Sequence, residues 1–404
     1  MRRIALLSVM ILWALSMAAQ STLVGGAVHD AEGQPVPYAH VQWQHTTLGT
    51  VSNLDGAFAL ARPATGADSL RVHCIGFAEQ VVAVHPDSSA CNIVLRPLIY
   101  ELSELAIQSV PAQQYLQTAL EKTTALLPSE ATLHHSYYKE TVKENSRYVQ
   151  FGESYLDFYV PSHTQAGGKN KKLARKLYMV QSRVSEEGAE SGVHYHQSPY
   201  LSIANATVSV PINNANYRYE FAPLQPRGMV VIEVVPTDSN APRVHFTVAV
   251  NAQTGIIDRI ESGIADAALA AASDRFTRKQ AGFSTQLIHY KTTLRLAEND
   301  GGYYLKYLAN EQTERIVVDS TASVYNVQRN AELLCTELQT AAKMPKRSRL
   351  IDRADDLYAF AHQYDVDFWA RSSRLQATEA EQAIRADLEH SKPLEQQFFH
   401  GNRP

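Results

Sequence analysis

The stretch from Leu23 to Leu95 alternates between apolar and polar residues with a period of two, and turn residues interrupt it at short intervals. This period is that of a half-buried strand, and a series of short strands is typical of a β-sandwich. Asp55-Gly56 lies between two apolar stretches, where glycine accepts the positive φ of a hairpin turn. We therefore expect an N-terminal seven-stranded β-sandwich. Its strands are Leu23–Val28, Ala39–Trp43, Leu48–Ser52, Ala57–Leu60, Leu70–Ile75, Gln80–Val84 and Asn92–Leu95.

A different pattern begins after Pro111. Apolar residues with helical spacing predict a helix over Gln113–Leu127, which Pro128 ends. Long alternating segments follow, and turns rich in Asn, Asp and Gly join several of them. One helix beside such strands indicates an α+β domain, in which a curved antiparallel sheet packs on the helix. The expected strands are Tyr148–Val160, Lys176–Val184, Met229–Val235, Val244–Val250, Ile256–Glu261, Gln286–Leu296 and Tyr303–Val318.

The last part of the chain changes character again. Lys343–Arg349 is basic, and Thr378-Glu-Ala-Glu381 is a capping-box pattern that predicts a helix through Leu388. This favours a helical C-terminal tail that packs back on its own domain. The fold class is thus mainly β with an α+β second domain. The expected division is 1–19 signal peptide, 20–98 sandwich, 99–111 linker, 112–340 β-rich half-barrel-like domain and 341–404 helical tail.

The N-terminus has the layout of a secretory signal peptide. Arg2 and Arg3 precede an apolar run from Ile4 to Leu15, and small residues follow it. The run is too short for a stable membrane anchor, so we expect cleavage between Ala18 and Gln20. The mature protein is then expected in the periplasm or at the outer membrane, with peripheral membrane association through partners.

Charge and cysteine content add two constraints. The net charge of −4 argues against a nucleic-acid partner, which would require a basic face. The three cysteines are Cys74, Cys91 and Cys335. In an oxidising compartment Cys74 and Cys91 either pair within the sandwich or stay as two buried thiols, and strand register decides between these alternatives.

No motif for nucleophilic, metal-dependent or nucleotide chemistry occurs in the chain. His134-His135 lies in a strand-like stretch, so its two rings point to opposite faces and cannot share a metal. His194-Tyr-His196 lacks further ligands at suitable spacing, and Lys169–Lys176 is typical of a solvated hairpin tip. We therefore predict no catalytic residue, cofactor or metal site.

The N-terminal pattern Val24-x-Gly26-x-Val28-x-Asp30-x-x-Gly33 resembles the opening of the carboxypeptidase regulatory-like domain. Asp55-Gly56-x-Phe58-x-Leu60 is similar to the middle hairpin of that family, and Leu70-x-Val72-x-x-Ile75-Gly76-Phe77 to its later strand and turn. The resemblance implies a transthyretin-like sandwich without catalytic residues of its own. In Bacteroidetes, such domains begin many exported proteins.

Two further resemblances concern the second domain. The strand Val244–Val250, the turn Asn251–Gly255 and the strand Ile256–Ile260 resemble the half-barrel of the periplasmic lipoprotein carriers. Tyr137-Tyr138 with Glu140, and the segments Asp365–Trp369 and Leu394–Phe398, have counterparts in uncharacterised Bacteroidetes proteins with the same N-terminal module. The second resemblance names relatives without implying a chemistry.

The leading hypothesis is a non-catalytic binding or assembly protein of the envelope. Its sandwich would be accessory, and the β-domain would hold an unknown envelope protein or an apolar or glycan ligand. The alternative is a hydrolase acting on peptide or glycan, with its site in residues 112–340. The expected ligand face consists of aromatic residues, namely Tyr155, Phe158, Tyr159, Tyr303, Tyr304 and Tyr307.

Overall fold

The structure is a computed structural model that describes most of the chain. It describes residues 23–63, 66–85, 88–98, 110–161, 175–186, 188–195, 198–203, 208–345, 349–360, 365–390 and 392–400. The expected signal peptide and most of the expected linker lie outside these residues. The described part confirms the fold class, because it is mainly β with few helices.

The N-terminal module is a sandwich of seven strands in two sheets. One sheet has the order β4-β1-β7, and the other the order β3-β2-β5-β6. β1 pairs antiparallel with β4 and parallel with β7. The strands are β1 Leu23–Asp30, β2 His40–Trp43, β3 Gly49–Val51, β4 Ala57–Ala61, β5 Ser69–His73, β6 Gln80–Ala83 and β7 Ala90–Leu95.

Alternation along the strands gives the module one apolar and one polar face. Val41, Trp43 and Leu70 are fully buried in its core. The intervening residues point outward, where Arg71 Nη2 lies 3.0 Å from Glu298 Oε2 of the second domain. The polar outer face of the module therefore lies against the second domain.

The second domain is built on a twelve-stranded sheet. Its order is β11-β12-β13-β14-β16-β17-β18-β8-β9-β10-β19, and β15 pairs with β16 beside this path. Its strands are β8 Thr132–Glu144, β9 Arg147–Val160, β10 Lys176–Glu186, β11 Tyr217–Phe221, β12 Met229–Pro236, β13 Val244–Asn251, β14 Ile257–Ile264, β15 Thr277–Gln280, β16 Phe283–Asn299, β17 Gly302–Val318, β18 Val324–Gln339 and β19 Arg349–Leu350.

Short helices cover this sheet and form the tail. They are α1 Ala112–Ala125, α2 Pro199–Ile203, α3 Asp266–Ala271, α4 Ser273–Phe276, α5 Val366–Arg371, α6 Ala383–Leu388 and α7 Leu394–His400, with 3-10 turns at Leu357–Phe360 and Glu379–Gln382. α1 begins after Pro111, as the sequence predicts, because proline needs no hydrogen-bond acceptor there. Thr378 and Glu381 form the expected capping box.

Different elements cover the two faces of the large sheet. On one face, α1 buries Leu116 and Ala119 against β12–β14. The segment around Leu357 continues this cover over Tyr138 of β8. The neighbouring residue Tyr137 points to the opposite face, which the sandwich and the tail share. We call these the helix face and the module face.

β18 was not among the expected strands, and β8 was expected only as a strand-like stretch at His134-His135, although the two pair with each other at the centre of the sheet. β8 contains buried charged side chains such as Lys139 and Glu140, and β18 alternates irregularly between exposed and buried positions. Neither strand therefore shows the apolar alternation that predicts a strand.

We predict that Gly26→Ala destabilises the module by about 3 kcal/mol or more. A Cβ at Gly26 would lie 1.7 Å from the carbonyl oxygen of Cys91, within the pairing of β1 with β7. Gly25→Ala is the matched control, because the nearest atoms to its Cβ are 3.7 and 3.8 Å away. Thermal unfolding measures both variants, and equal melting temperatures would contradict this account.

Candidate functional site

The six aromatic residues of the expected ligand face lie in different parts of the sheet. Tyr155 and Tyr307 belong to one cluster on the module face, and the tail residue Trp369 covers them. Phe158 lies in the core of the helix face. Tyr159 and Tyr304 belong to two further clusters, and Tyr303 packs at the edge of the Phe158 cluster. The structure thus brings these residues together only in pairs.

One such pair, Phe158 and Tyr304, lines a cavity between the C-terminal end of α1 and the sheet. This helix cavity has a volume of about 80 Å³. Its wall is mainly aliphatic and aromatic. The lining residues are Leu127, Pro128, Glu130, Thr132, His134, Phe158, Val160, Pro161, Arg175, Val208, Leu294, Leu296, Tyr304 and Leu305.

Hydrogen bonds at the end of α1 fix the cavity against the sheet. Thr123 Oγ1 accepts a hydrogen bond from Ile257 N at 2.9 Å, and Leu126 O accepts one from Tyr303 N at 2.9 Å. Leu126 O is one of the carbonyl groups that a helix end leaves without an intrahelical partner, and Thr123 belongs to the last turn. The two bonds fix the end of α1 beside the cavity, which Leu127 and Pro128 line.

Two buried polar residues belong to the wall of this space. His134 is 4% exposed and Tyr304 is 2% exposed, and the hydroxyl of the tyrosine has no hydrogen-bond partner. Burial lowers the pKa of His134 to about 4, so its ring is neutral at pH 7. Burial also raises the pKa of Tyr304 well above its usual value, so its hydroxyl remains a donor. Such groups are costly to bury without a partner.

The other histidines of interest do not form a site. His135 points away from His134, as expected, and its Nδ1 lies 2.7 Å from Asp157 Oδ1. His194 Nδ1 lies 3.0 Å from Glu186 Oε1, whereas His196 and residues 169–174 of the basic stretch lie outside the described residues. Within the described part of the chain, no three His, Cys, Asp or Glu side chains are placed to hold a metal ion.

Glu140 is the most perturbed carboxyl group of the helix face. It has no exposed surface, and burial raises its pKa to about 8. Tyr138 Oη donates to Glu140 Oε2 at 2.9 Å, and Gln150 Nε2 donates to Glu140 Oε1 at 3.2 Å. Sequence reasoning found no role for this residue, because a lone glutamate in a strand gives no signal of burial. Without access to a substrate, Glu140 is a structural group.

The three cysteines are thiols in the structure. Cys74 follows β5 in one sheet of the sandwich, whereas Cys91 lies on β7 in the other. Of the two alternatives for Cys74 and Cys91, the structure has the separate thiols. Burial raises the pKa of Cys74 to about 12, which makes its thiol slow to react.

Comparison with protein families identifies the N-terminal module. Residues 24–107 match the family model described as the CarboxypepD_reg-like domain. This confirms the expected resemblance for the sandwich. A comparison with curated protein sequences gave no match.

Comparison with solved structures gave several similar chains. A Vibrio parahaemolyticus domain described as an outer membrane lipoprotein-sorting protein is 13% identical, with 57% of this chain and 95% of that chain covered and a TM-score of 0.25. A LolA superfamily protein from Nitrosomonas europaea is 10% identical, with 58% and 96% covered and a TM-score of 0.25. A chain of the Pseudomonas aeruginosa MucA/MucB complex is 11% identical, with 57% of this chain and 99% of that chain covered and a TM-score of 0.16. At TM-scores this low, these similarities carry no argument about this chain.

We predict that Glu140→Gln changes how stability depends on pH. The native carboxyl keeps its proton up to about pH 8, whereas an unfolded glutamate loses it near pH 4. The wild type therefore loses stability as pH rises through this window, by roughly 5 kcal/mol in all, and the variant lacks that loss. Urea unfolding of both proteins at pH 5 and pH 9 measures the difference. Equal losses in the two proteins would contradict the burial of a protonated Glu140.

Proposed function

We propose that this chain is a non-catalytic binding protein of the cell envelope, whose second domain holds an acyl chain in the helix cavity. The observation that carries this proposal is an apolar cavity whose wall includes the neutral ring of His134 and the ring of Tyr304, whose hydroxyl has no hydrogen-bond partner. Ligand pockets commonly combine an apolar wall with a few polar groups that orient the ligand.

The size and polarity of the cavity favour a linear ligand. Its volume of about 80 Å³ is roughly half that of a cavity that admits benzene, so a ring system fits poorly and only one end of an acyl chain can enter, with the rest of the chain outside. The neutral His134 ring and the Tyr304 hydroxyl favour an uncharged oxygen acceptor. An ester carbonyl on an unbranched acyl chain satisfies both conditions.

The envelope location is supported by the order of charged, apolar and small residues at the N-terminus. None of the described helices is long and apolar enough to cross a bilayer. We propose that the protein is exported and reaches a membrane through its ligand or through an envelope partner. The sandwich is an accessory part in this proposal.

The alternative of a hydrolase has less support. General acid–base catalysis needs titratable groups that reach a substrate. Among the described carboxyl groups, Glu140 has the pKa such a role requires, but it has no exposed surface. A binding function therefore explains more of the observed geometry.

We predict that the protein binds the methyl ester of cis-parinaric acid, a fluorescent fatty ester, and that Leu296→Phe weakens this binding at least tenfold. Leu296 lines the helix cavity, so the larger ring occupies the space for the ligand. Leu375→Phe is the matched control, because Leu375 is equally buried, at 6% exposure, but lies on the module face. Fluorescence titration measures both, and a wild type that does not bind would refute the proposal.

We also predict that Tyr304→Phe leaves stability unchanged or raises it by about 1 kcal/mol, because its hydroxyl has no partner in the free protein. The same change should weaken binding of a parinaric acid methyl ester about fivefold. Tyr138→Phe is the control, because this hydroxyl donates to Glu140 and its loss should destabilise the protein by about 1 kcal/mol. Equal stability losses in the two variants would argue against an unpaired Tyr304.

A further inference from the structure

A second and larger cavity lies on the module face, away from the helix cavity. This central cavity has a volume of about 350 Å³, at the lower end of the range for ligand pockets. The sheet forms its floor, and the sandwich contributes Tyr38 and Asn53 to its wall. The tail contributes Gln376 and Thr378. Three separate parts of the chain thus enclose one space.

The cavity exists because small residues lie at the centre of a row of larger ones. Cross-strand pairing aligns five residues on neighbouring strands of the floor. In order across the sheet, they are Glu261, Thr293, Ala309, Glu332 and Lys139. Thr293 and Ala309 are short, whereas the flanking side chains are long, and that of Lys139 reaches the roof at Glu381. The depression between them is therefore encoded in the strand register.

The charges around the cavity balance one another. Four cationic and four anionic side chains line it, so their formal charges sum to zero. Glu261 lies 3.3 Å from Arg259 and 3.2 Å from Lys291. A charged ligand would have to compete with such pairs, which argues against selection of an ion.

One of these ion pairs joins the tail to the floor. Lys139 Nζ lies 2.6 Å from Glu332 Oε2 on the sheet and 2.8 Å from Glu381 Oε1 on the tail. The Lys139 side chain is only 8% exposed, so solvent screens this pair weakly. The roof is therefore held in place without a ligand.

Neutral polar groups supply the remaining contacts. Thr293, Asn330 and Gln376 all line the cavity and can both donate and accept hydrogen bonds. An apolar ligand would leave these groups desolvated without partners. The strands of the floor are paired on both sides, so they offer no free edge for the main chain of a peptide.

We propose that the central cavity binds a neutral, multiply hydroxylated ligand, the chemistry of a small saccharide. The hydroxyl groups of such a ligand both donate and accept hydrogen bonds, as do the amide and hydroxyl groups that line the cavity. This site is independent of the helix cavity and its acyl ligand, because the two cavities lie on opposite faces of the sheet and share no lining residue.

Saturation-transfer NMR and calorimetry on the full chain test the proposal with four neutral disaccharides: maltose, cellobiose, lactose and N,N′-diacetylchitobiose. We expect at least one to bind.

Ala309→Met should abolish binding by filling the depression, and Thr293→Val should weaken it about fivefold through one lost hydrogen bond. Thr247→Val is the matched control, because Thr247 pairs with Glu261 in the same row but lies outside the cavity. It should bind as the wild type does.

Folding of each variant is checked by thermal unfolding and by binding of the parinaric acid methyl ester, which these changes should leave unaltered. Failure of all four disaccharides to bind would overturn the saccharide assignment. Binding that persists in a folded Ala309→Met protein would overturn the location. Preferential binding of glucuronic acid or triglycine would replace the proposed ligand class with an anion or a peptide. None of these results depends on whether the acyl ligand binds.

Discussion

An ion pair between two neighbouring strands holds the helical tail on the module face of the sheet. Arg183 of β10 donates to Glu153 of β9 at 2.6 Å, and both side chains are largely buried. The Arg183 guanidinium also stacks on Trp369 at 4.1 Å and on Phe398 at 4.9 Å. Both ends of the tail thus rest on one cation. Without Glu153, that cation would be buried and unpaired, which is far costlier than the loss of an exposed pair.

The position of the tail has consequences for the sandwich as well. Arg374 forms a β-bridge with Ala59 at the edge of β4, and Asn53 Nδ2 donates to the carbonyl oxygen of Gln376 at 3.3 Å. The tail therefore caps a strand edge that would otherwise be free to pair with another chain. The tail therefore contacts both the sandwich and the sheet and joins them.

Sequence patterns were sufficient for elements whose burial follows a simple period. The sandwich strands and α1 have such periods, and Pro111 and Gly56 mark turns or ends by their own backbone preferences. The full length of β8 was beyond this reasoning, because Lys139 is buried through partners that lie far along the chain, Glu332 and Glu381. Periodicity predicts which apolar side chains are buried, but it contains no information on which charged side chains form ion pairs.

The candidate cavities show the same limit more clearly. Phe158 and Tyr304 were named from aromatic composition, and they do line the helix cavity, but the other four residues named with them do not. A cavity is a mismatch in packing between distant segments, so it depends on register and side-chain size together. The short side chain of Ala309 has no meaning in the sequence until the strand pairing is known.

The pairing of β8 with β18 also determines how this chain must fold. The ladder joins Leu133 to Gln339 and Glu144 to Val327, so the centre of the sheet is closed by contacts between segments far apart along the chain. Such topologies fold slowly, since a long loop must close before its contacts contribute. During synthesis β8 emerges long before its neighbour, and one of its edges stays unpaired until β18 appears. A chain kept unfolded until it is complete would avoid that period of exposure.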